Sequence, residues 1–130
     1  MVLDTSALLA ILCGEPERQQ FIELLIADPT RLLSAANFLE TGIVLENRSG
    51  EAAGRDLDLF LYRAAVTVVP VDRDQAELAR RAYRRFGKGR HPAALNYGDC
   101  FAYALSKSSG EPLLFKGDDF ARTDIESRLG

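Results

Sequence analysis

Short apolar runs alternate with helix-length amphipathic stretches along the whole sequence, and no other feature constrains the fold as tightly. Val2-Leu3 runs into Asp4, after which Thr5 or Ser6 can cap a helix carrying Ala7 to Leu12. Gly14 and Pro16 interrupt that pattern. A second helical stretch, Glu17 to Ile26, stops at Asp28-Pro29, because the residue before a proline is pushed out of the helical region. Leu32-Leu33-Ser34 reads as a short buried strand, followed by a helix from Phe38 to Asn47 that Ser34 or Asn37 can start. Ser49-Gly50 is a turn, and Glu51 to Ala65 is a further helix with Leu57, Phe60 and Leu61 at helical spacing. Val66 to Val71 is the clearest strand, β-branched and almost continuous, as expected of a strand buried on both faces. Asp72 or Asp74 caps a helix reaching Phe86, and Asn96 caps one from Tyr97 to Ser108 that Gly110 ends. Leu113-Leu114-Phe115 is the last strand and Gly117-Asp118-Asp119-Phe120 a turn. Strands alternating with helices predict an α/β fold around a small, mainly parallel sheet.

With 130 residues, the chain is the size of one domain, 1–130, and 47% hydrophobic residues suffice for a core. A net charge of -3 argues against an indiscriminate nucleic-acid binder. Cys13 and Cys100 match no metal or redox spacing and are expected as buried small hydrophobes, which suits the reducing cytoplasm. The apolar run from Ala7 to Cys13 is too short to span a membrane, and Asp4 stands where a secretion signal would carry basic residues.

The acids fall at special places. Asp4 ends the first strand, Asp118 and Asp119 follow the last, Glu40 lies early in a helix that follows a strand, and Asp99 is in the first turn of the Asn96-capped helix. Parallel sheets bind ligands beyond the carboxyl ends of their strands, at a topological switch point, so these acids can meet there. Gathered carboxylates repel one another unless a divalent cation neutralises them, and oxygen-only ligands suit Mg²⁺ or Mn²⁺. Such an ion orients phosphate and activates water, which points to phosphodiester hydrolysis. Each acid also has an ordinary explanation. Asp99 and Glu40 suit a helix N-terminus and Asp118-Asp119 a turn; Asp4 is the hardest to explain so.

The segments around these acids resemble PIN domains, and in particular the VapC-type toxins of toxin–antitoxin pairs. Val2-Leu3-Asp4-Thr5-Ser6-Ala7-Leu8 resembles their opening, and Ser34 to Glu40 the segment with their second acid. Leu95-Asn96-Tyr97-Gly98-Asp99-Cys100-Phe101-Ala102-Tyr103-Ala104-Leu105 is similar to the most specific block, and Pro112 to Phe120 to the closing strand and turn. The resemblance implies a three-layer α/β/α domain with metal-dependent endoribonuclease activity using Mg²⁺ or Mn²⁺. It implies catalytic acids Asp4, Glu40, Asp99 and Asp118, of which Asp4 and Asp99 hold the main metal. Ser6, Asn96, Asp119 and Asp124 are supporting candidates, and the turn is short enough that Asp119 competes with Asp118 for the fourth position. It also implies an RNA substrate, a VapB-type antitoxin partner and a toxin homodimer.

Positive residues concentrate in Arg80, Arg81, Arg84, Arg85, Lys88 and Arg90, beside the sole histidine, His91. They read either as a solvated helix face or as a phosphate-binding rim, in which Arg84, Arg85, Lys88 and Arg90 would contact RNA. Tyr83, Phe86 and Tyr97 are candidate base-stacking residues. Helix residues Leu57, Leu59, Phe60, Leu61 and Tyr62 exceed one buried face and suit a groove for an antitoxin segment. Three other readings compete. A signalling receiver domain would use Asp72 and Lys116 but needs paired acids after its first strand, where Thr5 follows Asp4. A dehalogenase-type phosphatase needs a second acid where Ser6 stands. A catalytically inactive RNA- or antitoxin-binding module is the remaining alternative.

Overall fold

The computed structural model describes residues 1–130 as six helices around a four-stranded parallel sheet. The order is β1 (Val2–Leu3), α1 (Thr5–Leu12), α2 (Arg18–Ala27), β2 (Leu32–Ser34), α3 (Ala35–Ser49), α4 (Glu51–Arg63), β3 (Thr67–Val69), α5 (Arg73–Phe86), α6 (Tyr97–Ser109) and β4 (Leu113–Leu114), followed by a short 3-10 turn at Phe120–Arg122. The strands lie side by side as β3-β2-β1-β4, so the chain steps outward from β1 to β3 and then crosses to the other side of β1. That reversal places the switch point between β1 and β4, whose registers pair Val2 with Leu113 and Leu3 with Leu114.

Alternation along the strands sorts the core into two layers, because successive side chains point to opposite faces. Val2 and Leu113 join Ala79, Ala82, Phe86, Leu95 and Leu105 under α5 and α6. Leu3 and Leu114 join Leu8, Phe21, Leu33, Leu45, Leu57 and Leu61 under α1 to α4. The three-layer α/β/α architecture expected of the sequence is present.

Three local expectations are corrected. The run from Val66 to Val71 is not buried on both faces. Only Thr67–Val69 is strand, and Thr67 and Val68 are exposed, because β3 lies at the sheet edge. Cys13 is exposed, since it follows the last buried turn of α1, while Cys100 is buried. Helix α1 is capped by Asp4 rather than Thr5 or Ser6, and α3 by Ser34, the final residue of β2. No loop separates strand from helix at either junction, and both helices therefore start at the carboxyl edge of the sheet. At the other end of α6, Gly110 adopts the left-handed conformation (φ 73°) that a side chain would strain, and its N–H closes the last turn on Ser106 O. No helix is long and apolar enough to cross a membrane.

Candidate active site

The capping arrangement decides which side chains are free for chemistry. Asp4 is 4% exposed, so almost none of its carboxylate is hydrated. Its Oδ2 accepts the Ser6 amide at 3.0 Å and the Ser6 hydroxyl at 2.6 Å. Both contacts fall on one oxygen, which spares Oδ1. The Ser6 hydroxyl oxygen also accepts the Lys116 amide at 2.9 Å, joining the end of β4 to the end of β1. Thr5, released from capping, donates to Glu40 Oε1 at 2.5 Å.

Glu40 reaches the pocket one turn into α3, and Asn37 guides it there. The fully buried Asn37 donates from its amide nitrogen to Gly98 O at 3.0 Å and Glu40 Oε1 at 3.3 Å. Thr41 donates to Asn37 O at 2.7 Å and lies 3.4 Å from Thr5 Oγ1. This polar knot of Thr5, Asn37 and Thr41 links α1, α3 and α6 beneath the acids. Sequence reading treated Asn37 only as a helix starter and missed the knot. The signal was there: a hydroxyl beside Asp4, and Asn37 one helical turn before Glu40.

Asp99 belongs to a reciprocal cap. Asn96 Oδ1 accepts the Asp99 amide at 2.9 Å and Asp99 Oδ2 accepts the Asn96 amide at 3.0 Å, again leaving Oδ1 spared. The capping explanation for Asp99 is therefore correct, yet the same residue faces the other acids. Burial is the main reason its carboxyl is pushed up to about 7, the Asn96 amide opposes that, and the charges of Asp4, Asp119 and Glu40 add to it. Burial likewise raises Asp4 to about 6 against the two Ser6 hydrogen bonds, with Glu40 adding repulsion.

Asp4, Glu40 and Asp119 all bear on Asp99 across the carboxyl ends of β1 and β4, and Glu40 bears on Asp4. In the closing turn the charge of Asp119 adds to the repulsion at Asp99. Asp124 is nowhere near the cluster, which corrects its place among the supporting residues. It accepts from Tyr103 at 2.6 Å and pairs with Lys107 at 3.2 Å and Arg85 at 3.4 Å. Lys107 lies eight residues beyond Asp99 on α6, roughly 12 Å along the helix.

That network also draws in Arg85, which stacks over Phe86 at 4.6 Å on the far flank of the α5–α6 seam. Arg84, Lys88 and Arg90 are exposed. His91 accepts the Ala93 amide at 3.0 Å and meets Phe86 edge-on at 5.1 Å, so it braces the loop. Phe86 is 4% exposed and belongs to the core. Asp72 caps α5 at the sheet edge and Lys116 pairs with Glu15 and Glu17, so neither takes the position a receiver domain would need.

A buried carboxyl whose folded value lies above its unfolded one stabilises the fold when protonated. With a chelator present, stability should be full below about pH 4 and fall as pH rises through 6 and 7, by roughly 2–3 kcal/mol for Asp4 alone. Calorimetry across that range measures the slope, and Asp4→Asn should flatten it. An unchanged slope in that variant would show that Asp4 is not the group responsible.

The PIN domain profile matches residues 1–126, and the chain belongs to the PIN domain family. Its relatives within that family are VapC ribonucleases. It is 60% identical over 125 residues to "Ribonuclease VapC" of Mycolicibacterium smegmatis, covering 96% of this chain and 97% of the relative. It is 45% identical over 130 residues to Ribonuclease VapC28 of Mycobacterium tuberculosis, covering 99% and 98%. The fold matches the crystal structure of Mycobacterium tuberculosis VapC20, a sarcin–ricin loop cleaving toxin, with a TM-score of 0.77 at 20% identity over 95% of each chain. It also matches a chain of a toxin–antitoxin complex from Klebsiella pneumoniae, with a TM-score of 0.69 at 18% identity over 95% and 92%. At these identities the two structures speak for the fold alone.

Proposed function

We propose that the protein is a divalent-metal-dependent endoribonuclease and the toxin of a toxin–antitoxin pair, working in the cytoplasm as one unit of residues 1–130. The observation that carries this reading is the meeting of Asp4, Glu40, Asp99 and Asp119 at the β1–β4 switch point, in a chain related to VapC ribonucleases.

The residues fit a hard cation. No group of three or more acids, histidines or cysteines is drawn together tightly enough to ligate an ion directly. Mg²⁺ suits such a site, since it keeps most of its waters and takes one or two carboxylates. Asp4 and Asp99, each with one oxygen spared, would hold it, and Mn²⁺ satisfies the same donors. When bound, the ion supplies Lewis-acid polarisation of the phosphodiester and lowers the pKa of water. Glu40, steadied by Thr5 and Asn37, and Asp119 in place of Asp118, would accept hydrogen bonds from the surrounding waters. Ser6 keeps Asp4 in register with β4. Arg84, Lys88 and Arg90 would bind RNA phosphates, while Arg85 is held by Asp124.

The antitoxin reading has its own support. Leu57 and Leu61 of α4 fill the core, but Leu59 and Tyr62 stay exposed, as do Leu39 and Ile43 of α3. A groove of about 350 Å³ runs between the two helices, lined by Phe38, Leu39, Ile43 and Leu57 among others. An antitoxin helix or peptide would bury these apolar groups. Toxin homodimerisation remains an expectation of the family resemblance.

The test is cleavage of a mixed RNA panel by antitoxin-free protein with Mg²⁺, Mn²⁺ or EDTA. Cleavage should require metal. Cleavage at full rate in EDTA would remove the metal from the mechanism, and RNA binding without cleavage under any condition would favour an inactive binding module.

A further inference from the structure

Lys116 ties the closing turn both to the acids and to the segment between α1 and α2. Its amide donates to Ser6 Oγ at 2.9 Å, and Ser6 Oγ donates to Asp4 Oδ2 at 2.6 Å, so its backbone is joined to the acid cluster through one hydroxyl. Its ammonium lies 3.2 Å from Glu17 Oε2 and 3.4 Å from Glu15 Oε2. The segment that carries these glutamates is fixed by its own backbone. The Glu15 amide donates to Ala10 O at 2.9 Å, and Glu15 O accepts the Arg18 amide at 3.0 Å.

Phe120 holds the other end of the turn. It is buried and packs against Phe115, with ring centroids 5.2 Å apart. Gly117, Asp118 and Asp119 span the gap between these anchors and are exposed. Gly117 adopts the left-handed region (φ 101°), which a side chain would strain and which costs a glycine backbone entropy to hold. A short exposed stretch of this kind has little local stability of its own. Asp119 belongs to it, so the position of its charge depends on the two anchors.

We propose that Lys116 is a positioning residue: its ammonium, shared by Glu15 and Glu17, holds the closing turn against the α1–α2 segment and so keeps Asp119 at the acid cluster. The inference rests on the metal-dependent ribonuclease reading and deepens it. An ammonium has three donors and can serve two carboxylates at once. The side chains of Lys116, Glu15 and Glu17 are 38%, 30% and 27% exposed, so water screens the pairs only in part. Pairs like these add little to global stability. Acting on a short turn with few other contacts, the same interaction shifts its open and closed populations severalfold. A contact between Lys116 and an RNA phosphate fits less well, because two carboxylates already engage the ammonium.

The experiment compares Lys116→Met, Lys116→Arg and the double variant Glu15→Gln/Glu17→Gln in the full chain. Mn²⁺ is titrated into each, and hydrogen exchange of residues 116–121 is followed by mass spectrometry. The amides of residues 116 and 121, bonded to Ser6 Oγ and Asp118 O, report opening of the turn. Lys116→Met and the glutamine pair should each weaken Mn²⁺ binding about fivefold and speed that exchange by a similar factor, at an unchanged thermal midpoint. Lys116→Arg should restore both. Charge acting alone makes a different prediction, since removing a cation near the acids would tighten Mn²⁺ and removing two anions would loosen it. Opposite shifts in the two variants, or turn exchange that neither of them changes, would overturn the proposal. So would unchanged Mn²⁺ affinity with RNA binding in EDTA lost in Lys116→Met but not in the glutamine pair, which would make Lys116 a phosphate ligand. Unsubstituted protein that binds no Mn²⁺ and cuts no RNA defeats the nuclease reading, and the exchange comparison then decides the clamp by itself.

Discussion

Asp99→Asn should abolish RNA cleavage, by about a thousandfold or more, a barrier increase of about 4 kcal/mol, while the protein stays folded. Two explanations of Asp99 make opposite predictions here. As a cap, Asp99 contributes an oxygen that accepts the Asn96 amide, and the Asn96 side chain accepts the Asp99 amide in return. Asparagine has the same shape and an oxygen that accepts the same bond, so capping alone predicts a silent substitution. As a cation ligand, Asp99 contributes charge, which asparagine lacks. The folded protein already resists that charge, holding the carboxyl near 7 through burial and the neighbouring acids. Removing it should relieve repulsion and leave the thermal midpoint in chelator equal or higher. Asp99→Ala should lose both activity and the cap, the latter at about 1 kcal/mol. Measuring cleavage rate and thermal midpoint for the pair separates the two roles, and full activity in Asp99→Asn would reduce Asp99 to a cap. Asp4→Asn is expected to behave likewise, because its Oδ can still accept from Ser6.

Gly98→Ala should cut activity by about ten- to a hundredfold with little change in stability. Gly98 is buried in the first turn of α6, and a methyl group there would overlap the Glu40 carboxylate. The end of a glutamate side chain can swing away, so overpacking costs little, and alanine's better helix propensity offsets part of it. What is lost is the position of Glu40 against Thr5 and Asn37. In a Glu40→Ala background the carboxylate is gone and Gly98→Ala should cost nothing further. An additional large loss in the double variant would mean that Gly98 acts through something other than Glu40.

The contrast between these two residues reflects how much of the site the sequence disclosed. Asp99 was visible because a cap is a local event: Asn96 and Asp99 sit three residues apart and their bonds follow from helix geometry. Gly98 looked like an ordinary residue of the same block. Its importance comes from α3 crossing close to α6, a contact between residues 58 positions apart in sequence, 40 and 98. The same division runs through the closing turn. Both aspartates read as turn residues, and it is the direction in which β4 delivers the turn that brings the charge of Asp119 to bear on Asp99. Asp124 failed for a related reason, since Tyr103, Lys107 and Arg85 hold it far along α6.

By itself the sequence determined the alternation of strands and helices, the cap at Asn96, the glycine stop at Gly110 and the strand-end position of Asp4, because propensity, capping and side-chain periodicity act within a few residues. Only the tertiary structure decided that β3 is an exposed edge, that Asp4 rather than Thr5 caps α1, and that Asn37 and Thr41 brace Glu40. It also decided that Arg85 turns to Asp124. Each of these depends on strand order and helix crossing, which are set by burying two faces of one sheet at once and leave no local trace in the residues concerned.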